Sequence, residues 1–254
     1  MHRIDTIQGL NQVRQQLSGS VGFVPTMGAL HRGHLSLIEA SKKHNEHTVV
    51  SIFVNPTQFN QADDLAQYPN TLTQDLEQIQ SLGVDAVFLP DFTIMYPDNY
   101  AYQLHENDLS QQYCGSHRPG HFNGVLTVVM KLFNLVKPTR AYLGEKDYQQ
   151  LNLIAGMVQA FFMDVEIVAC PIVRESDGLA MSSRNLRLSP AQRKIAPLLY
   201  ATLVEDSNLQ DKQQKLSALG FEVDYIEVMN NRLLAAASLG EIRLIDNVPY
   251  GVEQ

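Results

Sequence analysis

Two histidines three residues apart, His31 and His34, lie in the stretch VGFVPTMGALHRGHLSL that begins at Val21. Imidazoles at that spacing share one face of a helix and point into the same space. Ahead of them come a short apolar run, residues 21–25, which reads as a buried strand, and a loop with Gly28 and Gly33. A strand, a glycine turn and a helix start together make an anion site. The first backbone N–H groups of the helix lack helical partners, its dipole favours negative charge, and glycine lets a phosphate approach closely. The same pair also reads as a polar surface feature. A zinc site needs more ligands than two histidines with no Cys or carboxylate nearby.

Other residue groups bear on the same chemistry. Gly144, Glu145, Lys146 and Asp147 stand between a predicted strand and a predicted helix. A lysine there can neutralise charge that develops in phosphoryl or nucleotidyl transfer. Taken alone, the better reading is an exposed Lys146 beside a capping Asp147, and Gln150 also fits a capping role. Met181, Ser182, Ser183, Arg184 and Asn185 supply two hydroxyls, a guanidinium and an amide, and guanidinium suits multidentate phosphate recognition. Taken alone, that loop reads as an interdomain linker. Gln58 follows a strand end with a donor and an acceptor for hydroxyls or a carboxylate, or is an ordinary loop glutamine. Arg118, Pro119, Gly120 and His121 close a long irregular segment, covering a site or capping the next helix. There is no Walker A pattern, no G-x-S-x-G elbow and no G-x-G-x-x-G.

The elements that must position these residues alternate. Apolar spacing predicts helices over residues 7–17, 35–44, 72–83, 121–136 and 147–161, the third opened by a capping box from Thr71 to Gln74. Strands are expected at residues 21–25, 48–54, 84–89, 140–143 and 165–173. Alternation of this kind implies a parallel sheet with crossovers, whose ligands bind beyond the carboxyl ends of the strands. Residues 25–34, 55–59, 144–150 and 174–185 all fall in that position. The expected fold class is α/β: a Rossmann-like parallel sheet with helices on both faces, residues 1–175, plus a small α+β C-terminal lid domain, residues 176–254. In the latter, Ser189-Pro190 with Gln192 starts a helix, Pro197 should kink it, a second helix runs over 211–219, and strands occupy 223–228 and 242–246.

Composition excludes several classes. The chain has 254 residues, 44% hydrophobic and 18% charged, with a net charge of −8. That balance argues against a nucleic-acid surface, while local cations can still set the potential of a cleft. The N-terminus lacks the apolar core of a signal peptide, and Lys131 interrupts the longest apolar stretch, so no membrane span is expected. Cys114 and Cys170 make no disulfide framework, and a cytoplasmic location is the default.

Five blocks occur in order: PTMGALHRGH from Pro25, FVNPTQF from Phe53, RPGHFNGV from Arg118, GEKDYQQL from Gly144 and MSSRN from Met181. Together they closely resemble the pantothenate synthetase family, within the wider H-x-G-H nucleotidyltransferase group; RLIDN at Arg243 belongs to the same resemblance. It implies a ligase that joins pantoate to β-alanine with ATP and Mg²⁺ through a pantoyl adenylate. It implies His34 as the catalytic proton donor, with His31 helping to hold the triphosphate. ATP contacts would come from Met27, Gly28, Ala29, Leu30, His31, Arg32, Gly33, His34, Gly144, Glu145, Lys146, Asp147, Val173, Met181, Ser182, Ser183 and Arg184. Gln58 and Gln150 would hold pantoate hydroxyls, and Gln58 would lie beside β-alanine. Asp75 is a candidate for Mg²⁺, and a homodimer is implied. Asn70 stands where the family usually has Arg, and few residues separate Tyr200 from Val223. The competing readings are an adenylyltransferase for another small carboxylic acid and a non-catalytic nucleotide-binding homologue.

Overall fold

The structure, a computed structural model, describes residues 1–60 and 62–251, with the side chain of Ala62 left out. Two compact units divide the chain. One holds Met1–Gly144 and Gln149–Cys170, the other Glu145–Tyr148 and the residues from Pro171 onward.

The first unit is built on a six-stranded sheet, all of it parallel: β1 (His2–Ile4), β2 (Val21–Thr26), β3 (His47–Ile52), β4 (Ala86–Phe88), β5 (Arg140–Gly144) and β6 (Glu166–Cys170) in the order β1-β4-β3-β2-β5-β6. Its helices are α1 (Ile7–Gln16), α2 (Arg32–His44), α3 (Ala62–Ala66), α4 (Leu72–Ser81), α5 (Phe92–Met95), α6 (Cys114–His117), α7 (His121–Val136) and α8, which spans Tyr148–Ala160. Phe23 and Val24 are both fully buried because helices cover both faces of β2. Val24 and Val50 pack with Leu37 and Ile38 of α2 and Leu76 and Ile79 of α4. Phe23 turns the other way and meets Phe133 of α7 edge to face, with ring centres 6.2 Å apart.

The short helices α3, α5 and α6 lie where no helix was expected, and two further details of this unit differ from expectation. Strand β1 was not foreseen: three residues are too short to show a period, and β1 exists because it pairs with β4. Thr71 is the N-cap of α4 but makes no capping bond. Its hydroxyl donates instead to the Asp75 carboxylate, at 3.2 and 3.1 Å to the two oxygens.

In the second unit α9 (Pro190–Ile195), α10 (Leu198–Leu203) and α11 (Leu209–Ala218) precede a three-stranded antiparallel sheet of β7 (Glu222–Met229), β8 (Arg232–Leu239) and β9 (Ile242–Pro249). The capping box at Ser189 and Gln192 forms as expected, and Pro197 separates α9 from α10. Strand β8 escaped the sequence pattern. Its run RLLAAASL is alanine-rich, which carries little β propensity, and tertiary pairing decides. Two-residue turns join the strands, with Asn230 at φ 55° and Gly240 at φ 57°, the left-handed backbone such turns demand. Leu233, Ala235, Ala237 and Leu239 alternate onto the face that α10 and α11 cover.

Candidate active site

The histidine loop is built by its own backbone. Gly28 takes φ 80° and Ala29 φ 51° after β2, and the chain then enters α2 at His31. His31 Nδ1 accepts from the Gly33 N–H at 3.1 Å, and His34 Nδ1 accepts from the His31 N–H at 3.4 Å. This is a capping box made of imidazoles. The rings lie 4.1 Å apart. With each Nδ1 engaged as an acceptor, a neutral ring carries its proton on Nε2, so both Nε2–H groups are donors.

Asp75 holds the turn in place. Only 1% of it is exposed, and its carboxylate accepts the Ala29 and Leu30 N–H groups at 2.9 and 2.8 Å. Three donors surround this carboxylate once Thr71 is counted. The structure thus gives Asp75 the work of an anchor for the loop, and its oxygens are spent on backbone and hydroxyl donors. Among the described residues no group of three or more His, Cys, Asp or Glu could hold a metal ion. Magnesium commonly binds through one or two carboxylates and the substrate's phosphates.

Gln58 ends the short turn Pro56–Gln58 after β3. Its Nε2 lies 2.7 Å from Met27 Sδ, which joins it to the histidine loop. Its Oε1 accepts from Asn55 Nδ2 at 3.3 Å. The fully buried Asn55 is fixed in turn by Tyr96, whose hydroxyl donates to Asn55 Oδ1 at 3.0 Å, and by the Gly124 carbonyl. Burial pushes the Tyr96 phenol up to about 12. Arg118 and His121 reach the backbone carbonyl of Gln58, at 3.2 and 2.7 Å, so that motif clamps the Gln58 turn. A Cβ on Gly124 would come within 2.5 Å of the Thr57 carbonyl oxygen, so only glycine lets α7 pack against this turn. Gln150 is half-buried in the first turn of α8, beyond the end of β5. Its neighbour Gln149 is buried and bonds the backbone at Leu109, Gln112 and Cys114, which ties down the long segment.

Gly144 ends β5 in the first unit, and the remaining expected residues gather in the second. Glu145, Lys146 and Asp147 form one 3-10 turn, with Lys146 3.9 Å from Asp147. Val173 and Met181 are joined directly, the Met181 N–H donating to the Val173 carbonyl at 3.0 Å across a small hairpin. Ser182 caps the turn Ser183–Arg187 that carries Arg184. Asn185 Nδ2 donates to the Ala180 carbonyl, so the polar loop is an ordered hairpin and turn. Sequence reading passed over Asn55, Asp75 as an anchor, Tyr96 and Gly124. A signal existed for Asp75, which takes a buried place on the apolar face of α4 beside Leu76 and Ile79.

The family model described as "Pantoate-beta-alanine ligase" matches residues 1–249. A pantothenate synthetase from Bdellovibrio bacteriovorus is 58% identical over 92% of this chain and 94% of its own. One from Legionella pneumophila is also 58% identical, over 90% of each chain. A crystal structure of the pantoate-beta-alanine ligase from Francisella tularensis, complexed with beta-gamma ATP and beta-alanine, is 43% identical. Its TM-score is 0.95, and the match covers 100% of this chain and 99% of that one. The match therefore takes in the C-terminal unit of this chain as well as the N-terminal one.

Proposed function

The chain belongs to the pantoate-beta-alanine ligase family, and from that premise we propose how its residues condense pantoate with β-alanine at the expense of ATP. In the first step a pantoate carboxylate oxygen attacks the α-phosphorus of ATP. The bond from that phosphorus to the bridging oxygen breaks, and pyrophosphate leaves with the electron pair. In the second step the β-alanine amine attacks the acyl carbon of the pantoyl adenylate. The carbon–oxygen bond to AMP breaks, the amine loses a proton, and pantothenate and AMP result.

This chemistry needs positioned donors more than a protein nucleophile. His34 and His31 supply Nε2–H groups at the start of α2, where the helix dipole also favours a phosphate. His34 donates a hydrogen bond from its Nε2–H to the departing phosphate oxygen and so stabilises the charge that grows there. Lys146 and Arg184 neutralise the charge that grows on the phosphates. The loop Met27–Gly33, the turn Gly144–Asp147, Val173, and the run from Met181 to Ser183 contact the rest of the nucleotide. Gln58 and Gln150 hold the pantoate hydroxyls, and Gln58 also meets β-alanine. Magnesium bound to the ATP phosphates would supply further charge neutralisation there. The active form in this reading is a homodimer, which the mass in solution checks.

The observation that carries the reading is the paired-imidazole cap, held by Asp75 and joined through Met27 to Gln58. Two imidazoles and a polar amide on one loop system support the reading. The test is product analysis with ATP, Mg²⁺, pantoate and β-alanine, alongside a panel of other small carboxylic acids. Pantothenate and AMP in equal amounts, with pantoate by far the best acid, are expected. Adenylation of another acid in preference to pantoate would overturn the assignment. Nucleotide binding without any turnover would mark a non-catalytic homologue.

A further inference from the structure

Strand β9 carries two polar side chains that the reaction above does not use. Asp246 and Asn247 are 4% and 2% exposed, beside a cluster of apolar side chains that fills the same unit. Burial of a carboxylate and an amide is unfavourable unless their polar atoms find partners. What they hold is therefore informative.

Asn247 Nδ2 donates to two successive backbone carbonyls, Glu145 at 2.9 Å and Lys146 at 3.1 Å. Its Oδ1 accepts from Arg232 Nη1 at 2.6 Å, which fixes which end of the amide faces the turn. Arg232 pairs as well with the Glu145 carboxylate, and its guanidinium lies 5.0 Å from the centre of the Tyr148 ring. The turn that presents Lys146 is thus held at two carbonyls, a carboxylate and a ring. Adjacent residues on a strand point to opposite faces, so Asp246 reaches a different segment. It takes Arg174 in a two-bonded pair at 2.6 and 2.9 Å, and Arg174 follows Val173 at the foot of the hairpin.

We propose that Asn247 is a positioning residue for Lys146, acting through the Glu145 and Lys146 carbonyls with its amide oriented by Arg232. The idea rests on the reading that Lys146 meets the phosphates of ATP. Lysine has a long flexible stem, so the direction in which its backbone launches it decides where the ammonium spends its time. An aspartate at 247 cannot donate to the carbonyls and an aliphatic residue cannot bond at all. Small misplacement of a group that stabilises developing charge is costly in rate.

The test is a double-mutant cycle read by single-turnover pyrophosphate formation with saturating ATP and pantoate. Asn247→Asp keeps the acceptor for Arg232 and removes both donors. It is expected to slow the step about 100-fold while the pantoate KM stays near that of the parent, and the melting temperature falls by roughly a few degrees because two carbonyls lose their donor. In a Lys146→Ala background the same change is expected to slow the step less than about threefold, because the residue it acts through is gone. An unchanged rate for Asn247→Asp, or the same slowing in both backgrounds, overturns the proposal. If Asn247→Asp does not fold, Arg232→Gln takes its place in the cycle with an expected slowing of about tenfold, and additivity again overturns it. A Lys146→Ala protein of undiminished rate removes the reading beneath the proposal and the proposal with it. A slow Lys146→Ala protein with an additive Asn247→Asp removes the proposal alone.

Discussion

The two units hold their candidate site turns with anchors of opposite character. In the N-terminal unit a carboxylate, Asp75, accepts the Ala29 and Leu30 N–H groups. In the C-terminal unit an amide, Asn247, donates to the Glu145 and Lys146 carbonyls. In a trans peptide the C=O and the following N–H point in opposite directions. The first turn therefore faces its carbonyls away from its anchor, and the second faces its N–H groups away. Backbone polarity and side chain agree in the second turn, where outward N–H groups accompany Lys146. In the first, the cationic character comes from imidazole and the start of α2. The anchor residue decides which polarity a turn can offer, and it does so from outside the sequence block that holds the turn.

The sharpest way to break the comparison is to remove the donor from the first turn and leave its anchor alone. His34→Ala should lower pyrophosphate formation about a thousandfold with little change in stability, measured by rapid quench and by calorimetry. Removing the anchors should show the opposite balance. Asp246→Ala leaves Arg174 without its carboxylate and is expected to destabilise the C-terminal unit by about 3–5 kcal/mol. Asp75→Ala leaves two buried N–H groups unpaired, for about 2–4 kcal/mol in the N-terminal unit. Denaturant unfolding followed by hydrogen exchange on each unit would tell them apart, and equal loss of protection in both units from either change would contradict independent anchoring.

Smaller effects sharpen the picture. Gly124→Ala forces a Cβ against the Thr57 carbonyl and should raise the pantoate KM about tenfold through displacement of Gln58, with about 1–3 kcal/mol of destabilisation. Steady-state kinetics at fixed ATP would check it. Tyr96→Phe removes a donor to Asn55 and should cost about 1 kcal/mol at neutral pH. Its pH dependence is more telling. The folded-state phenol titrates at about 12, above its unfolded value of about 10. The neutral phenol is thus favoured by folding. Its contribution is fully present below pH 10 and is lost as pH rises through 12. The parent protein should lose stability over that window more steeply than Tyr96→Phe, as read by melting at stepped pH.

Much of this was legible in the residues. Helix α7 could be read end to end, because its apolar face is long and its period unbroken. The histidine loop announced itself through two glycines and an imidazole pair. What the sequence hid were pairings made by neighbours far along the chain. Strand β8 is alanine-rich and became a strand because β7 and β9 flank it. The hydroxyl of Thr71 had a local role ready in the capping box, yet the buried charge of Asp75 drew it away. Asp75 and Asp246 did leave a trace. Each interrupts an apolar periodicity, the first on the inner face of α4, the second in the alternation of Ile242, Leu244 and Val248 on β9. A buried carboxylate in an apolar stripe implies a partner, but one sequence cannot say which. Arg174 and the Ala29 and Leu30 N–H groups answered only in three dimensions.

The most direct test of the account is a rapid-quench measurement of pyrophosphate from the purified protein with ATP, Mg²⁺ and pantoate, before any β-alanine is added. One equivalent of pyrophosphate per active site, followed by AMP and pantothenate only when β-alanine arrives, is the predicted result. Pyrophosphate that appears only after β-alanine is added, from folded protein that binds ATP, would contradict the two-step chemistry.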